Sequence, residues 1–461
     1  MKLLVLGGGP GGYVAAIKAA QLGAEVTIVE KQYFGGTCLN VGCIPTKVFL
    51  HTAELYHMLM NDANHLGIKA DNVEVDWDRL LSRKMEVIDK LVGGVESLLA
   101  NNQVTMIRGQ GSFVSKNQIE VVMEDGKKEL VSFDRAIIAT GSEPTIFPIP
   151  GIKGENILTS NEILNLKTLP KSLCIVGGGV IGSEFASVFS NLGVNVTIVE
   201  MLPRIVRAMD EDVVQYLDYA LKKEGVEILT DSKVEKFESI GQQVKVEVST
   251  PEGSRSIMAE KVLLSIGRRP VTANMGLEKI GVQVNRGIVS NDRMKTNVEN
   301  IYAIGDCTGG VMLAHVASAQ GIVAVEDMMN VASKIDFRTI PSCVYTKPEI
   351  AGVGMTEEEV KEAGIEYSVG KFPLMGNGKA LILGETDGLV KFIVDNATNE
   401  ILGMHMAGPK ATELIVEGAL AIRLEATIDE VITTIHAHPT VGESLHEAAH
   451  AVHGHAIHLM Y

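Results

Sequence analysis

The sequence predicts an α/β fold with two Rossmann-like domains, because one strand–helix–strand unit occurs twice in the chain. Residues 7–30 read GGGPGGYVAAIKAAQLGAEVTIVE, and residues 177–200 read GGGVIGSEFASVFSNLGVNVTIVE in the same register. Each copy follows an apolar run (Leu3–Leu6 and Leu173–Val176) that is typical of a strand buried on both faces. A G-x-G-x-x-G turn, a stretch with helical period and a second β-branched strand complete a βαβ unit.

The glycine turn of each copy has the spacing that binds the pyrophosphate of a dinucleotide. The first glycine permits the tight turn, the second lets the backbone approach the phosphates, and the third lets helix and strand pack closely. The pyrophosphate then lies at the helix N-terminus, where free N–H groups and the helix dipole attract an anion. These positions are Gly7, Gly9 and Gly12 in the first copy and Gly177, Gly179 and Gly182 in the second. Two dinucleotides are therefore expected.

An acidic residue ends the second strand of each copy, Glu30 in the first and Glu200 in the second. A carboxylate at this point accepts hydrogen bonds from ribose hydroxyls and repels a 2′-phosphate. Glu200 therefore favours NAD over NADP. The alternative is that Glu200 is only a solvated strand end.

Length, charge and hydropathy limit the remaining classes of protein. A chain of 461 residues exceeds a single hydrophobic core, so several domains are expected. The net charge of −16 argues against nucleic acid or an anionic membrane surface as a partner. No apolar run reaches the roughly 18 residues of a membrane span, and no cleavage-type site follows the apolar N-terminus. A cytoplasmic protein is therefore expected.

Two of the five cysteines lie close together in GGTCLNVGCIPTK, residues 35–47. Cys38 and Cys43 fall where a helix is expected to begin, with Thr37 in position to cap it. A thiolate near a helix N-terminus has a lowered pKa, which suits disulfide exchange, and Gly42 would permit the distorted turn that a disulfide needs. Two unrelated buried thiols or a zinc site are the alternatives, although C-x4-C without a second ligand pair is poor zinc geometry. The other cysteines are interpreted as buried apolar residues: Cys174, Cys307 and Cys343.

Together with this segment, four others resemble the flavin-dependent pyridine nucleotide–disulfide oxidoreductases. They are AIIATGSEP (136–144), NIYAIGDCTGG (300–310), VMLAHVASAQG (311–321) and HAHPTVGE (436–443). The resemblance covers essentially the whole chain and is strongest to the members that oxidise dihydrolipoyl groups with NAD. It implies FAD at the first glycine turn, NAD at the second, and a C-terminal α+β dimerisation domain. The implied division is 1–148 (FAD-binding, first part), 149–268 (NAD-binding), 269–338 (central, second FAD part) and 339–461 (interface).

The resemblance also implies which residues carry the chemistry. Cys38 would exchange with the substrate, Cys43 would face the flavin, and His438, oriented by Glu443, would take the thiol proton. This base would come from the second subunit of a homodimer, whereas His436 is given a structural role. The partner would be a lipoyl-bearing acyltransferase or carrier protein.

Further residues are assigned to the cofactors by the same resemblance. Lys47 and Glu184 would pair beside the flavin, the alternative being two solvated helix charges. The remaining cofactor positions are Gly111, Thr140, Gly141, Val234, Gly267, Asp306, Met312, Leu313, Ala314 and His315. The C-terminal histidines (His446, His450, His453, His455 and His458) lack an acidic or thiol co-ligand pattern, so no metal site is predicted.

Three other functions compete with this interpretation. Glutathione-type reductases use NADPH and would want an arginine where Glu200 stands. Mercuric reductases carry a C-terminal cysteine pair, and no cysteine follows Cys343 in this chain. The chain could instead serve mainly as a binding subunit that docks on an acyltransferase core, although an intact cysteine pair and base make that role alone a poor explanation.

Overall fold

The computed structural model describes residues 1–331 and 333–459. In chain order its strands are β1 Lys2–Leu6, β2 Glu25–Glu30, β3 Thr105–Arg108, β4 Gln110–Ser115, β5 Gln118–Val122, β6 Lys128–Ser132, β7 Arg135–Ile138, β8 Ser142–Pro144, β9 Ile157–Thr159, β10 Ser172–Val176, β11 Asn195–Val199, β12 Glu227–Leu229, β13 Lys233–Ile240, β14 Gln243–Thr250, β15 Gly253–Ala259, β16 Lys261–Leu264, β17 Arg268–Pro270, β18 Val284–Asn285, β19 Gly287–Ile288, β20 Ile301–Ala303, β21 Ser342–Val344, β22 Ile350–Gly354, β23 Tyr367–Pro373, β24 Leu389–Asp395 and β25 Ile401–Ala407. Its helices are α1 Pro10–Gln21, α2 Gly36–Val41, α3 Cys43–His57, α4 Trp77–Asn101, α5 Val180–Asn191, α6 Glu211–Lys223, α7 Leu277–Ile280, α8 Ala314–Met328, α9 Glu357–Glu362, α10 Gly378–Leu383, α11 Ala411–Arg423, α12 Ile428–Thr433 and α13 Glu443–Val452.

The first repeated unit forms the centre of a parallel sheet with the order β20-β7-β1-β2-β3. Alternate residues of β1 face two different layers, as the strand period requires. Leu3 and Val5 pack with alanines of α1 and with α8, whereas Leu4 and Leu6 pack with the antiparallel sheet β4-β5-β6. Both faces of β1 are thus covered, which explains its uninterrupted apolar sequence.

The second repeated unit builds the same three layers. Its parallel sheet has the order β12-β11-β10-β16-β9. Leu173 and Ile175 of β10 face α5 and α6, and Cys174 and Val176 face the antiparallel sheet β13-β14-β15. The predicted α/β fold with two Rossmann-like units is therefore confirmed.

A third five-stranded sheet is antiparallel and has the order β21-β22-β25-β24-β23. It packs against α11, α12 and α13. The first two units are joined by the short antiparallel pair of β8 and β17. Phe49 of α3 packs in one hydrophobic core with Phe185 and Phe189 of α5. This core holds the cysteine segment against the second unit. Among the described residues, no helix is long and apolar enough to cross a membrane.

Candidate active site

The cysteine segment forms two helices instead of one. Helix α2 ends at Val41, Gly42 leaves the helical conformation at φ −145° and ψ −111°, and α3 begins at Cys43. A Cβ atom on Gly42 would lie 2.9 Å from the Thr37 carbonyl oxygen, so the break needs glycine. The predicted distortion at Gly42 is confirmed. The prediction that Thr37 caps the helix is wrong, because α2 already starts at Gly36, after Gly35 turns the chain at φ +84°.

The break brings the two thiols into hydrogen-bond contact, with Cys38 in α2 and Cys43 at the start of α3. Both are free thiols in this structure. The hydrogen bond from Cys38, assisted by the charge of Lys47, lowers the pKa of Cys43 to about 7 and outweighs the opposing effect of desolvation. The same hydrogen bond and burial raise the pKa of Cys38. The reduced pair therefore holds its negative charge on Cys43, the sulfur nearer the positive side chain.

Lys47 lies one turn further along α3 and points at the second unit. Its Nζ atom is 2.8 Å from both carboxylate oxygens of Glu184 in α5, and it lies 4.3 Å from the centre of the Tyr345 ring. Glu184 is buried and also accepts a hydrogen bond of 3.1 Å from the Tyr345 backbone N–H. The predicted pair is thus a partly buried contact between α3 and α5 and not a pair of solvated charges.

One cavity of about 1800 Å³ runs from the first glycine turn, past the cysteines, to the second glycine turn. Its wall includes both cysteines, Lys47 and Glu184. It also includes most of the predicted cofactor residues: Gly7, Gly9, Glu30, Gly111, Thr140, Gly141, Gly177, Gly179, Glu200, Val234, Gly267, Asp306, Met312, Leu313, Ala314 and His315. This space reaches both glycine turns and the cysteine pair, as two dinucleotide sites that meet at the cysteines require.

The glycines divide into those that face the cavity and those that face the protein. A Cβ atom on Gly179 would meet nothing within 4 Å, and one on Gly9 would meet only a backbone carbon at 3.9 Å. This open space beside the backbone is what a phosphate group needs. By contrast, Gly12 and Gly182 do not line the cavity. A Cβ atom there would lie 1.9 Å from the carbonyl oxygen of Gly7 and 2.0 Å from that of Gly177, respectively.

The acid that ends β2 and the acid that directly follows β11 have the same geometry. Glu30 accepts hydrogen bonds from the backbone N–H groups of Gly8 at 2.6 Å and Gln32 at 2.8 Å. Glu200 accepts them from Gly178 at 2.6 Å and Leu202 at 2.8 Å. Each carboxylate therefore anchors its own glycine turn, and it lines the cavity with lone pairs left for ribose hydroxyls.

The predicted base lies elsewhere in the chain. His438 Nδ1 is 2.9 Å from Glu443 Oε1, and Glu443 also accepts the Thr440 N–H at 2.9 Å. The His438 side chain is 80% exposed, and neither residue lines the cavity. His436 is held between Glu417 and the Thr434 carbonyl oxygen, and the charge of Glu417 raises its pKa. One chain thus contains the histidine–carboxylate pair and the cysteine pair at separate places.

The described histidines near the C-terminus contact carboxylates and neighbouring rings. His458 Nδ1 lies 2.8 Å from Glu447 Oε1, and the His446 and His450 rings pack edge to face at 4.5 Å. Over residues 1–331 and 333–459, no cluster of three or more metal-ligating side chains is found.

Comparison with known proteins decides the family. The profile of the pyridine nucleotide-disulphide oxidoreductases matches residues 1–321, and the profile of their dimerisation domain matches residues 340–449. The chain belongs to this family.

Its relatives within the family cover nearly the whole chain. The mitochondrial dihydrolipoyl dehydrogenase of Pisum sativum is 42% identical over 99% of this chain and 92% of its own length. The dihydrolipoyl dehydrogenase of Bacillus subtilis is 41% identical over 99% of this chain and 98% of its own length. The crystal structure of LpdA from Mycobacterium tuberculosis has 29% identity and a TM-score of 0.91, covering 97% of this chain and 99% of that chain. The resemblance found in the sequence is confirmed.

Two residues of the site, Ser142 and Arg268, were missed in the sequence, although Ser142 lies within the family segment 136–144. Ser142 donates a hydrogen bond of 2.5 Å to Asp306, and Arg268 donates to Ser142 Oγ at 2.7 Å and to its carbonyl oxygen at 2.8 Å. Burial lowers the pKa of Arg268. Because β8 and β17 are far apart in sequence, only the fold shows that these groups hold Asp306 at the cavity wall.

One cysteine prediction needs correction. Cys174 and Cys307 are fully buried, as predicted. Cys343 is only partly buried and lines the cavity, because β21 runs along its edge. Burial raises the pKa of the Cys343 thiol to about 11, so the thiol is neutral at neutral pH.

Proposed function

We propose that this protein is an FAD- and NAD-dependent dihydrolipoyl dehydrogenase that oxidises protein-bound dihydrolipoyl groups to lipoyl groups. The observation that carries the proposal is the hydrogen-bonded pair Cys38–Cys43 in the wall of one cavity that also holds both glycine turns. Relatives named for this activity match the chain over almost its full length.

The residues present fit both cofactors. The open backbone at Gly9, the carboxylate of Glu30 and the Asp306 network suit FAD, and Gly179 with Glu200 suits NAD. When bound between them, FAD would supply the two-electron transfer that links the cysteine pair to NAD. Accordingly we assign FAD to 1–148 and 269–338, NAD to 149–268, and the dimer contact to 339–461; these boundaries stay a prediction.

The chain's own part in the reaction is thiol–disulfide exchange. With the cysteines oxidised, a dihydrolipoyl thiolate attacks the Cys38 sulfur, forming a mixed disulfide and releasing Cys43 as a thiolate. The second substrate thiol, as a thiolate, then attacks the lipoyl sulfur of that mixed disulfide, so the Cys38 thiolate leaves and is protonated. The low pKa of Cys43 makes it a good leaving group, and the positive charge of Lys47 stabilises it. Glu184 holds Lys47 in that place.

The substrate thiols must lose protons, and we propose that His438 accepts them, oriented by Glu443. Since this pair lies outside the cavity of its own chain, we propose that a second chain supplies it. Helix α11 supports a dimer of this kind. Its exposed residues Val416, Leu420 and Leu424 are spaced four apart and form an apolar stripe on the matched dimerisation domain.

The physiological reductant we propose is a lipoyl group carried on an acyltransferase or a carrier protein. A cytoplasmic location is proposed with it, because the three cysteines outside the redox pair are free thiols, which suits a reducing compartment. The rival glutathione-type activity is disfavoured by Glu200, whose carboxylate would repel the 2′-phosphate of NADPH.

Two measurements test the proposal. The holoenzyme should reduce NAD⁺ with dihydrolipoamide. The proposed substrate is refuted if NADH reduces the holoenzyme but the holoenzyme turns over only glutathione disulfide. The shared site is tested by mixing Cys43→Ser and His438→Gln proteins, each inactive alone, under conditions that exchange subunits.

Random reassortment makes half of the dimers mixed, and each mixed dimer has one intact site if the cysteines and the base come from different chains. Roughly a quarter of the parent activity should then return. If both groups act within one chain, no mixed dimer has an intact site and no activity returns. As the control, each variant alone is taken through the same subunit-exchange procedure.

A further inference from the structure

A segment after Glu200, residues 201–212, lies over the second glycine turn. The Val206 N–H donates a hydrogen bond of 2.9 Å to the Gly178 carbonyl oxygen. Ile205 closes the gap beside the same glycine, because a Cβ atom on Gly178 would lie 2.7 Å from Ile205 Cγ2. Met201, Leu202, Val206, Ala208 and Met209 continue the cavity wall from Glu200. The position of the segment therefore sets the shape of the second dinucleotide site.

The first unit has the same arrangement with one difference. There the Gly35 N–H donates to the Gly8 carbonyl oxygen at 2.8 Å, and Gly35 has a φ of +84°. Val206 occupies the equivalent place with a φ of +44°. A positive φ is easy for glycine and strained for a β-branched residue, and such strain persists only where the surroundings enforce it. Something must hold Val206 in this conformation.

The holding contacts come from the third sheet. Lys391 in β24 is 1% exposed, and its Nζ atom lies 3.0 Å from both oxygens of Asp210, 2.5 Å from Asp212 and 2.7 Å from Glu357. Asp210 is itself 2% exposed and caps the N-terminus of α6. Its neighbour Met209 donates a backbone hydrogen bond of 2.9 Å to the Val206 carbonyl oxygen.

A second tie joins the same segment to α9. Arg204 Nη2 lies 2.9 Å from Glu358 Oε2, and Arg207 also contacts this carboxylate. The Glu357 backbone N–H donates to Asp210 at 3.1 Å. The contacts thus run from a buried lysine, through Asp210 and Met209, to Val206 and the Gly178 carbonyl.

We propose that Lys391 is a positioning residue for NAD, holding the strained segment 201–212 against the second glycine turn from the neighbouring domain. The inference rests on the proposed NAD site. Lys391 touches neither the cavity nor the cysteines, so it acts only through the segment. Lys391 is the cation that pairs with Asp210, whereas Asp212 also pairs with Lys371 and Glu357 also pairs with Lys361. Without the Lys391 charge, the buried Asp210 is driven toward water. That movement pulls Met209 away from Val206 and loosens the turn that binds the dinucleotide.

The test is NAD⁺ binding to the oxidised holoenzyme, measured by calorimetry, which needs no turnover. We expect Lys391→Met to raise the Kd for NAD⁺ by roughly three- to thirtyfold, the usual range for coupling through such a network. The flavin content and the KM for dihydrolipoamide should stay near the parent values. Val206→Gly, which removes the strain, should reduce the effect of Lys391→Met when the two are combined.

Lys84→Met is the matched control. Lys84 is also buried, at 3% exposure, and joins α4 to the Leu164 carbonyl oxygen and Asn165 Oδ1, but its partners are uncharged and lie outside segment 201–212. It should leave the Kd for NAD⁺ unchanged.

If Lys391→Met does not fold, Asp210→Asn carries the test, since it keeps a capping oxygen and should still raise this Kd. An unchanged Kd in the folded variant, or an equal rise with Lys84→Met, overturns the inference. So does a parent that binds no NAD⁺. A parent that binds NAD⁺ but does not oxidise dihydrolipoamide contradicts the proposed function alone.

Discussion

Glu200→Gln removes one negative charge from the second dinucleotide site and keeps the length of the side chain. In the structure the carboxylate accepts the N–H groups of Gly178 at 2.6 Å and Leu202 at 2.8 Å. The amide of glutamine can accept only through one oxygen, so one N–H loses its partner and the other bonds a neutral acceptor. The Leu202 N–H is exposed and can turn to water, whereas the Gly178 N–H is partly buried.

The magnitude follows from these two bonds. A hydrogen bond to a charged group contributes about 1.5–3 kcal/mol and a neutral one about 0.5–1.5 kcal/mol, so the exchange at Gly178 weakens the turn by about 1–1.5 kcal/mol. A ribose hydroxyl that donates to the carboxylate loses a similar amount. The turn is weakened in the free protein as well, so only part of the combined loss affects binding. We therefore expect the free energy of NAD⁺ binding to weaken by about 1–2 kcal/mol, or roughly 5- to 30-fold in Kd.

The assay is a calorimetric titration with NAD⁺ and with NADP⁺, together with the FAD content of the purified protein. Discrimination against NADP⁺ should fall, because the charge that repels a 2′-phosphate is gone. Glu30→Gln is the matched control, since its two hydrogen bonds have the same lengths in the first unit. It should lower FAD retention and spare NAD⁺ binding. If Glu200→Gln leaves the Kd for NAD⁺ unchanged, or if both variants lose the same cofactor, the assignment of the two acids is wrong.

Three further predictions follow from the site. Cys43 has a pKa of about 7, below the ordinary 9.0, so its thiolate is present above about pH 7 and is lost as the pH falls through that value. Lys47→Met should move this transition to higher pH in a titration of thiolate ultraviolet absorbance of the reduced protein; a shift to lower pH would contradict the role of the lysine. Gly182→Ala would place a Cβ atom 2.0 Å from the Gly177 carbonyl oxygen, so the free energy of unfolding should fall by about 1–3 kcal/mol in a denaturant titration, and an unchanged midpoint would refute the close approach. Leu420 is 59% exposed in the single chain, and Leu420→Asp places a charge in the proposed interface. Light scattering should then find monomers, and these should not oxidise dihydrolipoamide. An intact dimer would exclude α11 from the interface.

The repeated units could be predicted from sequence because their structure is local. An apolar strand, a glycine turn and a helix are set by neighbouring residues, and the strand Glu25–Glu30 in the structure ends at the acid that the pattern predicts. The break at Gly42 is local in the same sense. What the sequence alone could not supply is the partner of each charge across domains, because a helix charge looks the same whether it is solvated or paired.

Lys47 and Glu184 illustrate this limit. Their pairing depends on α3 packing against α5, and these helices come from different units. The family resemblance supplied the pair, whereas no local pattern in the sequence did. Arg268 and Ser142 were missed for the same reason: their contact to Asp306 requires β8 and β17 to meet. His438 is a further case, because it lies outside the cavity of its own chain and its proposed access to the cysteines depends on a second subunit.

The two glycine turns explain why a repeat in sequence does not give equal sites. In both units a backbone N–H donates to a carbonyl oxygen of the glycine turn, from Gly35 to Gly8 in the first unit and from Val206 to Gly178 in the second. Gly35 accepts its positive φ without strain, and the segment it opens carries the cysteines, so the first turn is stabilised from within its own unit. Val206 is strained, and the ionic contacts that hold it come from Lys391 in another domain. Binding at the second turn should therefore respond to contacts between domains in a way that binding at the first turn does not, although the two fingerprints read alike.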